Sequence, residues 1–155
     1  MEGGCTMFYE FTLRKVKVRD FDSIKCLSEM IVGGIPRIDK DRFGILIASK
    51  NFLGLVATYK AKKTPEEFVG YGSVCFHSSF TAGKTALVED LIVWKQHRKK
   101  RIEGLILARL IEEADKKMMD RIVLTRVPDQ EEDISLYKSL EFVEEDMSLF
   151  VKDLS

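Results

Sequence analysis

The chain has no uncharged apolar run near the ~18 residues that a membrane-spanning helix requires, so no membrane partner is predicted. Neither sign of charge is in surplus: 25 Lys and Arg face 25 Asp and Glu in 155 residues. A general nucleic-acid binder carries a basic excess, so no nucleic-acid partner is predicted and any preference for phosphate must be local. Cysteine is scarce. Cys5, Cys26 and Cys75 form an odd, scattered set without a CxxC pair, which reads as reduced thiols in an intracellular compartment. Cys26 and Cys75 fall in predicted core elements, where a buried small apolar residue is the default. Met1-Glu2-Gly3-Gly4-Cys5 lacks the basic and apolar regions of a secretion signal, so a cytoplasmic location is expected. His77 and His97 have no second ligand at metal spacing; both are read as structural or exposed, and no metal site is predicted.

What the chain does contain is a globular composition, 45% hydrophobic and 32% charged. One domain, residues 1–155, is expected, because domains cluster at about 100–150 residues. Alternation in residues 9–13 predicts a half-buried strand. Asp20 reads as an N-cap for a helix whose inner face is Phe21, Ile24, Leu27 and Ile31, ended by Gly33-Gly34-Ile35-Pro36. A second short helix is expected over residues 40–49. Residues 52–60 and 67–77 read as an antiparallel hairpin, and 86–94 as a further strand after the turn Thr81-Ala82-Gly83-Lys84. The clearest helix spans 101–118, with Ile102, Leu105, Ile106, Leu110, Ile111 and Ala114 on one face and i,i+4 pairs Glu112–Lys116 and Glu113–Lys117. A strand at 121–127, a short acidic helix from Pro128-Asp129 to about Ser139 and a last strand at 147–152 complete an α/β (α+β) pattern. Crossover through the long helix should set strand 121–127 parallel to strand 86–94, giving one mixed central sheet with helices on both faces.

Three features carry chemistry. Arg98-Lys99-Lys100-Arg101 sits where a strand gives way to the long helix, the wrong sign for a helix start, where each cation costs on the order of 0.3–1 kcal/mol. An anion over that turn would reverse the penalty, because unpaired N–H groups and basic side chains would converge on it. A solvated turn and a nuclear-targeting or nucleic-acid patch stay open as alternatives, though the run is short and has only Trp94 as a nearby stacking aromatic. Glu89 and Asp90 are adjacent in a strand, so alternation should turn one of them to a helix-covered side; an ion pair, a strand end open to water, and a carboxylate that positions an amine are the readings left open. Tyr137, with Ile134 three residues before it, is either a core tyrosine or a proton donor.

The segments Val88-Glu89-Asp90-Leu91-Ile92-Val93, Arg98-Lys99-Lys100-Arg101-Ile102-Glu103 and Leu107-Ala108-Arg109-Leu110-Ile111-Glu112-Glu113-Ala114 resemble the acetyl-CoA signature of the GNAT superfamily. Within it the chain resembles the glucosamine 6-phosphate N-acetyltransferases along nearly its whole length. Thr12-Leu13-Arg14 with Asp20, Gly83-Lys84, Ser135-Leu136-Tyr137-Lys138 with Glu141-Phe142, and Met147 add to the likeness. The resemblance implies the GNAT acyl-CoA N-acyltransferase fold and an acetyl-CoA-dependent enzyme that transfers acetyl to a primary amine, glucosamine 6-phosphate above all, within a ternary complex. It implies that two central strands splay and that Leu91, Ile92 and Val93 hold the pantetheine arm. Arg98, Lys99, Lys100, Arg101, Ile102, Glu103 and Gly104 would wrap the pyrophosphate, with Tyr137 and Lys138 also at the cofactor. Glu89, Asp90 and Leu91 would line the amine site, and Tyr137 would donate to the leaving thiolate. A homodimer is implied as well.

The family loop reads Arg/Gln-x-x-Gly-x-Gly/Ala, whereas Arg101 and Glu103 occupy both small-residue positions here. On the sugar-phosphate side the chain departs at His77-Ser78-Ser79-Phe80, at Phe150 and at Thr125. Two alternatives follow: a catalytically silent module for binding or dimerisation, or an enzyme for another amine, such as a polyamine or protein lysine, attracted by Glu131-Glu132-Asp133.

Overall fold

The computed structural model describes residues 10–125 and 131–154, with backbone alone at 10, 98–100, 131 and 132. Two compact units make up the chain, Met1–Thr125 and Arg126–Ser155. The first holds a five-stranded sheet in sequence order, β1 (Glu10–Lys15), β2 (Phe52–Lys60), β3 (Glu67–Ser79), β4 (Gly83–Val93) and β5 (Arg121–Leu124). β1 to β4 form an antiparallel meander, and β5 joins β4 in parallel, as the crossover predicts. Among the described residues three α-helices accompany the sheet in this unit: α1 (Phe21–Ile31), α2 (Lys40–Ala48) and α3 (Ile102–Lys116).

α1 and α3 lie on opposite faces. Leu27 of α1 packs with Val56, Tyr71 and Ile92, and Ile24 and Ile31 join it, so the predicted inner face forms. The other face is cut for α3 by glycine. A Cβ on Gly72 would stand 2.3 Å from Ile106 Cγ2, and one on Gly70 3.3 Å from Ile106 Cδ1. The helix therefore seats against bare backbone. Ile102, Ile106, Leu107, Leu110 and Ala114 are buried there. Leu105, expected on this face, is 47% exposed, and Leu107 takes the inward position.

Several expectations are corrected. Asp20 does not cap α1. Its carboxylate accepts from both Nη atoms of Arg14 at 2.8 Å and from the Lys17 N–H at 2.8 Å, so a 3-10 turn, Val18–Asp20, leads into the helix instead. A rooted guanidinium outcompetes the local capping bond. The second helix keeps its expected start, with Asp39 as its cap accepting from the Arg42 N–H. β3 and β4 run closer to their turn than predicted, because Gly83, at φ 69°, lets the strands pair up to Ser79 and Gly83 while Asp120 accepts from the Lys84 N–H. Glu112–Lys116 forms at 2.9 Å, but Lys117 reaches the Phe76 ring and the Lys50 carbonyl rather than Glu113. Cys26 is exposed on α1 and Cys75 is half-buried, so only the second approaches the expected core role.

The C-terminal unit contains α4 (Glu131–Ser139); Pro128 and Asp129, its expected start, lie outside the described residues, as do Arg126 and Val127 of the strand expected at 121–127 and Cys5. The strand expected at 147–152 does not form: those residues have no regular structure, and Met147, Leu149 and Phe150 are 71%, 82% and 92% exposed. Alternation specifies which way side chains point, but a strand also needs a neighbour for its backbone groups. Among the described residues no helix is long and apolar enough to cross a membrane.

Candidate active site

β4 has two neighbours along its first half and one along its second. Its parallel pairing with β5 runs from Thr85 opposite Arg121 to Val88 opposite Leu124, and β5 ends there. Among the described residues β4 continues to Val93 paired only with β3. In that stretch the Trp94 N–H bonds to the Val69 carbonyl, and Gly70 faces Val93. Because hydrogen-bonded and non-hydrogen-bonded pairs alternate in an antiparallel ladder, Ile92 turns its backbone groups to β3. Leu91 and Val93 turn theirs to the open side. Their side chains are buried, at 8% and 0% exposed, so rigid packing holds this open edge.

A β-bulge marks where the opening begins. Ser73 pairs with Asp90 and Val74 with Val88, which makes Glu89 the extra residue. The bulge resets the alternation: Val88 and Val74 are buried, while Glu89 and Asp90 are both exposed. The expectation that one carboxylate turns to a helix-covered side is thereby corrected. Behind them Ser73, fully buried, donates a 2.7 Å hydrogen bond from Oγ to Asp90 Oδ2. Desolvation at the bulge, and then the Asp90 charge, raise the Glu89 carboxyl above its ordinary value; His77 opposes them. Burial, and then Glu89 and Asp90, push the Cys75 thiol up. A cleft of about 210 Å³, lined by Asn51, Phe76, His77, Ser78, Lys84 and Met119, opens farther along the same two strands.

At the other end of β4 the basic run forms a 3-10 helix, Lys95–Lys100, and α3 starts after it at Ile102. Arg101, exposed, stands between them in the left-handed region at φ 61°, ψ 22°. That conformation costs a non-glycine residue roughly 1–2 kcal/mol, and the resemblance places a glycine there. The N-cap residue Arg101 makes no side-chain capping bond to α3, and the first N–H groups of a helix have no ladder partner of their own. Glu103 does not project into solvent. It is buried at 7% exposed in the first turn, where a negative charge complements the helix end. Gly104 is half-buried beside it.

His97, isolated in the sequence, anchors this turn. It is 5% exposed, lies edge-on to Phe11 at 6.4 Å and tilted against Tyr59 at 6.0 Å, and brings Nε2 within 3.7 Å of Glu67 Oε1. Nothing in its local pattern announces this slot, which β1, β2 and β3 build together. Tyr137 and Lys138 belong to α4 of the C-terminal unit, where the Tyr137 ring stands edge-on to Phe142 at 6.3 Å and Lys138 is exposed.

An open strand edge, an acidic bulge and a helix start without a cap thus follow one another along β4 and into α3. Residues 34–142 match the Acetyltransferase (GNAT) family. The chain belongs to the GNAT acetyltransferase family. Its members use acetyl-CoA to acetylate amines.

The GNAT fold is shared with solved structures at low identity. Glucosamine-6-phosphate N-acetyltransferase from Arabidopsis thaliana is 16% identical, with 92% of this chain and 98% of that chain covered at a TM-score of 0.76. The aminoglycoside antibiotic 6'-N-acetyltransferase AAC(6')-Ih from Acinetobacter baumannii is 13% identical, covering 94% and 100% at 0.74. Aminoglycoside N-acetyltransferase AAC(6')-Iy in complex with CoA is 12% identical, covering 94% and 95% at 0.74. At these identities the likeness fixes the fold alone. No curated protein matches the chain.

The GNAT donor can be tested against the residues present. An extended amide-bearing arm needs backbone donors and acceptors, which Leu91 and Val93 hold at the open edge. A pyrophosphate needs uncapped N–H groups and cations, which the start of α3 and the run 98–101 provide. The donor set fits.

Proposed function

We propose that this GNAT protein acetylates a primary amine at the bulge of β4, with acetyl-CoA laid along the open edge. The observation that carries the reading is the edge itself: backbone groups of Leu91 and Val93 without a strand partner among the described residues, between two carboxylates and a basic turn. Leu91, Ile92 and Val93 would hold the pantetheine arm, and Arg98, Lys99, Lys100, Arg101, Ile102, Glu103 and Gly104 the pyrophosphate. Acetyl-CoA supplies an activated thioester. Placement next to it is the chief source of rate in such a transfer. Glu89 and Asp90 receive the acceptor ammonium, and Glu89, its carboxyl raised, is suited to take the proton. The resemblance, rather than any placement of the C-terminal unit, gives Tyr137 the role of supplying the proton that the departing thiolate takes up and Lys138 a role in cofactor binding.

The acceptor we favour is an amino sugar phosphate of the glucosamine 6-phosphate kind. Support comes from the cleft with His77, Ser78 and Lys84, whose polar and cationic groups suit a phosphate while the carboxylates suit the amine. The fold shared with the Arabidopsis thaliana enzyme is consistent with it. A homodimer, carried by the resemblance, and a cytoplasmic location, expected from the scattered thiols, belong to the same proposal, and light scattering tests the first.

Calorimetric titration with acetyl-CoA, followed by a thiol-release assay with glucosamine 6-phosphate, spermidine and a lysine-bearing peptide, tests the reading. Binding and release with the sugar phosphate are expected. Release with spermidine or the peptide alone would move the acceptor to those classes. Arg101 and Glu103 at the family's small-residue positions favour one rival, a silent binding module, and binding without release for every amine would establish it.

A further inference from the structure

We propose that Ser73 is a positioning residue for acetyl transfer, holding the Asp90 carboxylate where it receives the acceptor ammonium and leaving Glu89 to take the proton. The inference rests on the reading above that Glu89 and Asp90 meet the amine.

Ser73 lies in the strand stretch Val69-Gly70-Tyr71-Gly72-Ser73-Val74, otherwise apolar or glycine apart from the Tyr71 phenol, and is 0% exposed. A hydroxyl buried that completely is costly unless it is bonded. Its proton goes to Asp90 Oδ2 at 2.7 Å, a short bond to a carboxylate. The buried Tyr71 phenol, two residues away on the same face, interacts with the Ser73 hydroxyl and feels the Asp90 charge. A line of groups thus runs from the core beneath α1 through Ser73 to an exposed carboxylate at the bulge. The cross-strand pairing of Ser73 with Asp90 exists only because the bulge at Glu89 shifts the register.

The consequence is a division of labour between neighbouring acids. Asp90 has one oxygen fixed by a donor rooted in a rigid strand, so Oδ1 is left in a set orientation for an incoming ammonium. Among the described residues no side chain donates a hydrogen bond to Glu89, and His77 is the side chain that opposes the rise of its carboxyl. Glu89 is therefore free to exchange a proton. The acceptor ammonium gives one proton to the Glu89 carboxylate, which becomes a carboxylic acid, and the nitrogen keeps the electron pair it needs as nucleophile. Asp90 orients the ammonium and takes no part in the transfer.

The experiment is a double-mutant cycle of Ser73→Ala and Asp90→Asn, with glucosamine 6-phosphate as acceptor and thiol release as readout. Ser73→Ala should lower kcat/KM for the acceptor about tenfold while calorimetric affinity for acetyl-CoA stays unchanged. In the Asp90→Asn background the same change should cost nothing further. Ser73→Cys, nearly the same size with a weaker donor, should recover part of the loss. Another full tenfold loss in the double variant would overturn the inference, as would a parallel loss of acetyl-CoA affinity, which would reduce Ser73 to a packing role. A wild-type protein that acetylates none of the three amines above sinks the transfer reading instead. Carboxyl NMR titration of Asp90 then decides on Ser73: a displaced titration in Ser73→Ala sustains the holding contact, and an unchanged one overturns it.

Discussion

Replacing Gly72 with alanine tests how tightly the sheet seats α3. The added Cβ would stand 2.3 Å from Ile106 Cγ2 and 3.6 Å from Leu110 Cδ1. Carbon atoms settle at about 3.5–4.0 Å, so Gly72 and Ile106 must part by roughly 1 Å. Ile106 is fully buried and β-branched, and in a helix such a side chain has one strongly preferred rotamer. It cannot swing aside, so α3 must lift or β3 must bend. Overpacking of this kind costs about 1–3 kcal/mol, a large share of the roughly 5–15 kcal/mol that holds a typical protein folded. Urea unfolding should show a lower midpoint with an unchanged slope. Because Ile106 lies one turn inside the helix from Ile102, the lift also displaces the uncapped N–H groups, and acetyl-CoA affinity should fall with stability. Ile106→Leu removes the offending branch at nearly constant volume and alone should cost under about 1.5 kcal/mol. Combined with Gly72→Ala it should raise the midpoint above that of Gly72→Ala alone. An unchanged midpoint for Gly72→Ala, or a double variant that sums the two single losses, would refute the packing argument.

Asp20→Asn should cost about 1.5–3 kcal/mol by removing the charge that Arg14 and the Lys17 N–H bind. Burial pushes Asp20 up, but those partners outweigh it and leave its pKa below 3.8, so its contribution is complete above that value and is lost as pH falls through the lowered one. The wild-type protein should accordingly lose more stability in acid than the variant, and parallel acid titrations would contradict this. Glu89→Gln should slow turnover by about 10²–10⁴-fold, and the acid limb of wild-type kcat/KM should lie above 4.5, with activity rising as Glu89 ionises; a limb at or below that value takes the role of base from Glu89. Tyr137→Phe should lower kcat with little change in acetyl-CoA affinity, and an undiminished rate would strip Tyr137 of its role as acid.

Elements governed by local pattern were legible before the fold was known. The 3.6-residue spacing around Ile106 and Leu110 marked α3, and the crossover rule fixed β5 as parallel to β4. Misreadings arose where a local rule met a distant competitor. Asp20 has the chemistry of a cap, yet Arg14 on β1 claims both its oxygens. Residues 147–152 alternate like a strand, but alternation supplies no partner for the backbone. Glu89 and Asp90 were recognised as candidates, while their orientation depended on a bulge against β3 that neither residue encodes.

The amino-acid order alone determined the membership of the family and the succession of elements up to α4, because both rest on neighbours within a few positions. Tertiary structure decided the rest. Ser73 reaches Asp90 across 17 positions of chain, His97 finds a slot made by three strands, and Arg101 is held left-handed between a 3-10 turn and α3. Each depends on strand register or on how one element seats against another, and those are settled only when backbone groups far apart in the chain compete for the same partners.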